Sequence, residues 1–356
     1  MKFNDKQQSI FNGKKLCVEI FGASHAPEIG VLFTGLDGFK PDMDELQRFM
    51  DRRRAKKTAY STKRLEGDKV IIEKGVKDGI IDGQFKAVIK NTAQRSSDYD
   101  NTVKTPRPAH ADFVAWSKYG DGFDYRGGGK FSGRLTAPMC IVGGICKQAL
   151  KEKGITVDAY ITQIGKVKGA SYKDGVEREI FNQEFPLLDD SVKDEMMAEI
   201  ENARLNQDSV GGIIECVIRG VPVGAGEYMF DSLESVISHL AFAVPAVKGI
   251  EFGFGFDLAS MRGSVANDAF YYDGDKVKTK TNHNGGINGG MANGMPITFR
   301  VVIKPTPSIG IEQDTVDMIA KKNVKLRIEG RHDACITPRA VPVIEAIASM
   351  AIYDSL

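Results

Sequence analysis

The 356-residue sequence has no excess of either charge, no C-x-x-C pair and no apolar run approaching the length of a membrane span. Forty-eight Lys and Arg stand against 47 Asp and Glu, a net charge of +1. That balance excludes a general polyanion-binding surface and leaves only local concentrations of basic residues. There is no stretch of ~20 apolar residues, and none suited to secretion in the opening MKFNDKQQSIFNG, so the expectation is no membrane partner and a cytoplasmic location. Cys17, Cys140, Cys146, Cys216 and Cys335 are odd in number and scattered, which reads as reduced thiols rather than a disulfide framework. No histidine has a partner at H-E-x-x-H spacing, and no metal site is expected. Proline is sparse, at 13 residues. Glycine, at 38 residues, exceeds the ~7% of an ordinary domain, and the excess lies in a residue that permits close backbone approach.

Periodicity organises what is present. KLCVEIF (15–21) reads as an opening strand, and 41–54 as a helix entered through an Asp42…Glu45 capping box with Met43, Leu46, Phe49 and Met50 on one face. Strands are expected at 69–73 and 86–90, with a long irregular stretch from Asn91 to Lys130. Next come a helix apolar on most of its circumference at 134–150, an alternating strand ITVDAYITQI, a polar helix near 191–205 and a strand at 213–219. An Asp231…Glu234 capping box opens a further helix, in which His239 is read as a packing residue. A strand at 297–303 and a closing helix after Thr337, with Pro338 in its first turn, complete the pattern. Helices and strands intermix without regular βαβ spacing, so one α+β domain over 1–356 is expected.

Two glycine-rich nucleotide fingerprints fail. In YRGGGKFSGR (125–134) Lys130 is followed by Phe131, not Ser or Thr, and GFGFD (253–257) lacks a third glycine. The GGGK segment is left as either a surface turn or a backbone cradle for a ligand, with Lys130, Ser132 and Arg134 as donors. From 48 to 64 there are eight basic residues and one acid, Asp51. This run reads as a solvated face, a nucleic-acid patch or the mouth of an anion site. Further arginines in turn-rich segments, among them Arg107, Arg134, Arg331 and Arg339, favour a small, multiply charged anion, since guanidinium forks match phosphate and carboxylate oxygens in pairs. His25, His110 and His332 sit beside polar groups as candidates for proton handling, equally readable as structural histidines.

Eight blocks in order resemble chorismate synthase: FGASHAPEIG (21–30), DRRR (51–54), NTAQRSSDY (91–99), RPAHAD (107–112), DYRGGGKFSGR (124–134), NHNGGINGG (282–290), KPTPSI (304–309) and RHDACITPRAVPVIEA (331–346). The resemblance implies a β-α-β sandwich, a homotetramer, and a 1,4-anti elimination of phosphate from 5-enolpyruvylshikimate 3-phosphate. That reaction requires reduced FMN without net redox change. The substrate's two carboxylates and phosphate would give the arginines their purpose, and no nucleic acid is expected as a partner.

By the same resemblance, His25 is the histidine at the leaving phosphate, His110 the one beside the flavin, and Asp333 the carboxylate near flavin N5 in the C6 proton transfer. FMN contacts fall on Lys130, Phe131, Ser132, Pro245, Ala246, Gly289, Lys304, Pro305, Thr306, Pro307, Ser308 and Arg331. Arg48, Arg107 and Arg134 correspond to substrate-anion ligands. Arg53 falls on a position that the family uses for NADPH, a candidate reductant. The sequence departs from the family at Ala23, Ala26 and Ala59, in KFS for the flavin triplet and in KPTPS. The competing expectations are a flavin-dependent oxidoreductase of the NADPH:FMN reductase type, and a degenerate anion- or nucleic-acid-binding protein.

Overall fold

The computed structural model describes residues 9–54, 67–92, 104–120, 124–172, 184–328 and 333–356. Strands β1 (Ser9–Asn12), β2 (Cys17–Gly22), β3 (Glu28–Thr34), β4 (Ile71–Lys77) and β5 (Ile80–Lys90) form an antiparallel sheet in the order β1-β2-β3-β5-β4. The helices are α1 (Met43–Arg53), α2 (Asp112–Tyr119), α3 (Thr136–Glu152), α4 (Lys193–Leu205), α5 (Leu233–Phe242), the single turn α6 (Gly263–Ala266) and α7 (Thr337–Ser355). The later strands are β6 (Thr156–Ile164), β7 (Val167–Lys168), β8 (Gly212–Arg219), β9 (Val247–Phe252), β10 (Phe270–Asp273), β11 (Lys276–Thr279), β12 (Ile287–Asn288), β13 (Met291–Ala292), β14 (Ile297–Ile303), β15 (Gln313–Asp317) and β16 (Lys322–Leu326). A second antiparallel sheet runs β7-β6-β8-β14-β9, and β10-β11, β12-β13 and β15-β16 are separate two-stranded pairs.

The helices fill the space between the two sheets. α3 packs against β3 and β5 on one side and β6 on the other, while α7 lies along α3 and against β6 and β8. A helix apolar all round must be covered all round, and α3 and α7 are buried along nearly their whole length. Close approach depends on glycine. A Cβ on Gly143 would stand 2.4 Å from Ala346 Cβ, and one on Gly144 would stand 2.6 Å from Leu46 Cδ1. At its end α7 is tied to the first sheet, because the Asp354 carboxylate accepts the backbone N–H groups of Lys14, Lys15 and Leu16 at 2.8–2.9 Å. The result is an α+β sandwich of two sheets around a helical layer.

Most expected elements form where the periodicity puts them, with four differences. The strand at 155–164 is buried on both faces for most of its length rather than alternating, because α7 covers one side and the 185–188 segment approaches the other. α5 is capped by Ser232, whose hydroxyl accepts Ser235 N at 3.1 Å, because Asp231 is taken up in a preceding 3₁₀ turn. Within the stretch expected to be irregular, Asp112–Tyr119 is helical. His239 is exposed, and its ring meets Phe11 edge-on at 5.6 Å.

Candidate active site

The end of α1, the loop after β2, the 104–111 and 124–135 segments, the α5–β9 turn, the strand end at 304–308 and the start of α7 converge on one cavity of about 1280 Å³. A single drug-sized ligand needs ~300–1,000 Å³, so there is room for two ligands side by side. Lining it are Arg53, Arg107, His110, Lys130, Phe131, Ser132, Arg134, Pro245, Ala246, Lys304, Thr306, Pro307, Ser308 and Asp333. The cavity thus gathers sequence-predicted residues from six separate stretches of chain.

The wall bearing Arg134 is organised by Asp68, which the sequence reading missed. Asp68 is 2% exposed, in a left-handed conformation (φ 42°). One carboxylate oxygen accepts from Arg53 Nη1 at 2.8 Å and the other from Arg134 Nη1. Burial opposes its ionisation, but the guanidinium charges of Arg53 and Arg134 outweigh it and hold the carboxyl below its ordinary range. Arg134 Nε donates to Asn91 Oδ1 at 3.1 Å, and Asn91 in turn donates to the carbonyl of Ala26 at 2.7 Å. The arginine is thereby linked to the turn that carries His25.

His25 stands just behind the cavity surface. Its ring is 5% exposed and lies against Gly127, where a Cβ would come within 2.4 Å of Cε1 and 2.5 Å of Nδ1. Gly127, Gly128 and Gly129 all adopt positive φ, so the GGGK segment is a cradle that side chains could not form. Ser24 N donates to Gly129 O at 3.1 Å and fastens the two loops together.

Opposite, Arg107 and His110 share Asp112. Arg107 Nε and Nη2 donate to its two oxygens at 2.7 and 2.8 Å, and His110 Nδ1 lies 2.6 Å from Oδ1. Burial raises the Asp112 carboxyl, yet these bonds from Arg107 and His110 hold it well below the usual carboxylate range. Arg107 Nη1 also donates to Ser308 Oγ at 3.1 Å. Lys304 Nζ donates to the carbonyl of Ala109 at 2.6 Å, and burial, assisted by Lys248, lowers its pKa. Asp333 accepts from Arg339 Nη1 at 2.6 Å, and Arg339 Nε donates to the carbonyl of Arg53 at 3.2 Å.

Several predicted residues stand elsewhere. Arg48 projects from the exposed face of α1 and does not line the cavity; Arg54, the C-cap residue of α1, does. Gly289 forms the β12–β13 turn, whose neighbour Gly290 packs at the start of α5, away from the α5 end that reaches the cavity. Pro305 turns toward Gly211. Arg331 and His332, with Lys56 to Arg64, fall outside the described residues. Arg53 lines the cavity but is 4% exposed. Its guanidinium donates to Thr136 Oγ1, Asp68 and the carbonyls of Gly133 and Arg134, so its fork is already engaged within the protein. Asp112 lay inside a quoted block, and Arg339 among the junction arginines; Asp68 carried no sequence signal at all. Among the described residues no group of three His, Cys, Asp or Glu could hold a metal ion, and no helix is long and apolar enough to cross a membrane.

The chorismate synthase family model matches residues 16–356. The chorismate synthase of Thermococcus kodakarensis is 44% identical over 347 residues, covering 97% of this chain and 96% of its own. That of Dehalococcoides mccartyi is 40% identical over 346 residues, covering 96% and 95%. A crystal structure of chorismate synthase shares the fold with a TM-score of 0.70 at 21% identity, over 97% of this chain and 92% of that one. Matched along nearly its whole length in sequence and in fold, the chain belongs to the chorismate synthase family and is a lyase of the shikimate pathway.

Proposed function

We propose that the cavity binds 5-enolpyruvylshikimate 3-phosphate together with reduced FMN, and that the chain removes phosphate from C3 and a proton from C6 in a 1,4-anti elimination that gives chorismate. The observation that carries this reading is the convergence of Arg107, His110, Lys130, Arg134, Lys304 and Asp333 on one cavity of about 1280 Å³. The donor set suits a flavin phosphate and ring: a positive-φ glycine cradle, Lys130, Ser132, Ser308, and the Pro245–Ala246 turn with Ala246 at φ 74°. When bound, reduced FMN would supply an electron-rich ring able to lend charge to the substrate without net redox change.

The chain's own residues bind, orient and handle protons. Arg134, braced by buried Asp68, holds an anionic group in place without spending side-chain freedom at binding, and Arg107, whose fork is shared between Asp112 and Ser308, adds positive charge beside it. Arg54 takes the substrate-anion role that Arg48 cannot fill from the outer face. His25, set behind Gly127, is the general acid for the departing phosphate. Asp333, anchored by Arg339, is the carboxylate that governs the proton at the reacting ring. Because the Arg53 fork is engaged, NADPH phosphate has no free fork there, which disfavours the oxidoreductase reading and favours flavin reduced elsewhere.

Within the described part of the basic run, Arg52 and Arg53 are also committed to buried ion pairs with Glu345 and Asp68, which weakens the nucleic-acid alternative. Homotetramer formation is supported by exposed Tyr228, Met229 and Phe230, the last 92% exposed, and by Phe256 and Tyr272. All five cysteines are free, in keeping with a reducing cytoplasm.

The test incubates purified protein anaerobically with reduced FMN and 5-enolpyruvylshikimate 3-phosphate and follows chorismate and phosphate together. Equal release is expected. Absence of both, once flavin binding has been confirmed, would overturn the assignment of substrate and cofactor.

A further inference from the structure

Two nitrogen-bearing side chains on the cavity wall, Arg107 and His110, depend on one carboxylate that has no assigned role. Asp112 opens α2, is 4% exposed, and receives four contacts. Its Oδ1 lies 2.6 Å from His110 Nδ1 and accepts from Arg107 Nη2 at 2.8 Å. Its Oδ2 accepts from Arg107 Nε at 2.7 Å and from the Arg107 backbone N–H at 3.1 Å.

The His110 contact decides which ring nitrogen bears hydrogen. A bare Nδ1 would set its lone pair against a carboxylate lone pair at 2.6 Å, so Nδ1 carries the hydrogen and donates it. Arg107 Nη2 is 3.1 Å from the same Nδ1, but a guanidinium only donates and a hydrogen-bearing Nδ1 cannot accept from it. The carboxylate therefore sets the ring, with the guanidinium as a neighbour sharing the same acceptor. Nε2 is left facing Gly128, where a Cβ would stand 3.3 Å from both Nε2 and Cε1. The absence of a side chain at Gly128 keeps that edge of the ring open toward the cradle.

We propose that Asp112 is a positioning residue for the elimination, fixing His110 as the Nδ1–H form with Nε2 turned to the cradle, and holding the Arg107 fork so that Nη1 meets Ser308. This rests on the reading of the cavity as the elimination site, and it deepens that reading by naming the group that orients two of its side chains. Loss of an orienting carboxylate from an imidazole can cost up to ~10⁴ in turnover when the wrong tautomer results.

The experiment uses the full chain with ¹⁵N-labelled histidine, comparing wild type, Asp112→Asn and Asp112→Glu. In the wild type the His110 Nδ1 resonance is expected in the hydrogen-bearing range. In Asp112→Asn the carboxamide N–H can donate to Nδ1, so a shift toward the Nε2–H form is expected. Turnover should fall at least ~10-fold, FMN Kd should stay within about threefold, and Asp112→Glu should recover part of the turnover. A bare Nδ1 in the wild type overturns the proposal without any variant, so it stays testable even if Asp112→Asn does not fold. An unchanged tautomer with turnover within twofold in Asp112→Asn also overturns it. Failure of the wild type to form chorismate while Nδ1 carries hydrogen would instead overturn the functional reading.

Discussion

Replacing Glu345 by Gln should destabilise the protein by about 3 kcal/mol at neutral pH. Glu345 is 2% exposed within α7, where its carboxylate accepts two bonds from Arg52 at 2.7 and 2.8 Å and one from Lys147 at 2.6 Å. Burial pushes its pKa up, but Lys147 and Arg52 overcome that and bring it down to about 2 from an ordinary 4.5. At ~1.36 kcal/mol per tenfold, that difference favours the ionised folded state by about 3 kcal/mol. Removing one partner of a buried pair costs a similar ~3–5 kcal/mol; Arg52 and Lys147 keep some solvent contact, which places the value at the lower end.

The pKa is depressed in the folded state, so the contribution is fully present above pH 4.5 and fades as pH falls toward 2. Urea unfolding of wild type and variant, followed by far-ultraviolet circular dichroism from pH 7 to pH 3, measures this directly. With an m-value of ~3 kcal/mol/M, the midpoint at pH 7 should drop by roughly 1 M. The gap between the two proteins should narrow as pH falls below 4.5. A gap under about 1 kcal/mol at pH 7, or one that stays constant with pH, would refute the reasoning.

Three further outcomes follow from the site. His25→Ala should lower turnover by ~10²–10⁴ with little change in FMN affinity, whereas Gly127→Ala should lower turnover and weaken FMN binding as well, because its Cβ would stand 2.4 Å from the imidazole and distort the positive-φ cradle; a His25→Ala protein that cannot hold FMN refutes the leaving-group role. Arg54→Gln should raise KM for the substrate by ~10–100-fold, as for a lost charge-assisted hydrogen bond, whereas Arg48→Gln should leave it within about twofold; the reverse order in steady-state assays would restore the sequence assignment. Ala109 and Ala246 hold φ of 57° and 74°. Relief of ~1–2 kcal/mol of strain by Ala109→Gly, less ~0.4–1 kcal/mol of added unfolded-chain entropy, should raise stability by about 0.5–1 kcal/mol in the same urea assay.

Some of the protein was legible in its sequence because the signal is local. An apolar stripe of period 3.6 marks α1 whatever it packs on, and Pro338 marks the first turn of α7 because its missing N–H is one the helix leaves unpaired there; GGGK left a surface turn and a ligand cradle both open, and the positive φ of Gly127, Gly128 and Gly129 belongs to the structure. The family was legible for a related reason, since ordered motifs keep their identity however the chain folds. Tertiary structure alone decided which basic residues serve the cavity. Arg48, Arg52, Arg53 and Arg54 are near neighbours in one run, yet helical geometry sends the first to solvent, pairs the second with Glu345 and the third with Asp68, and turns the fourth to the cavity. Asp68 could not be found from its neighbours in sequence, because its meaning comes from Arg53 and Arg134, 15 and 66 residues away. A side chain's chemistry is written in its residue type, but its electrostatic partners are supplied by distant segments that meet only when the two sheets close on the helices between them.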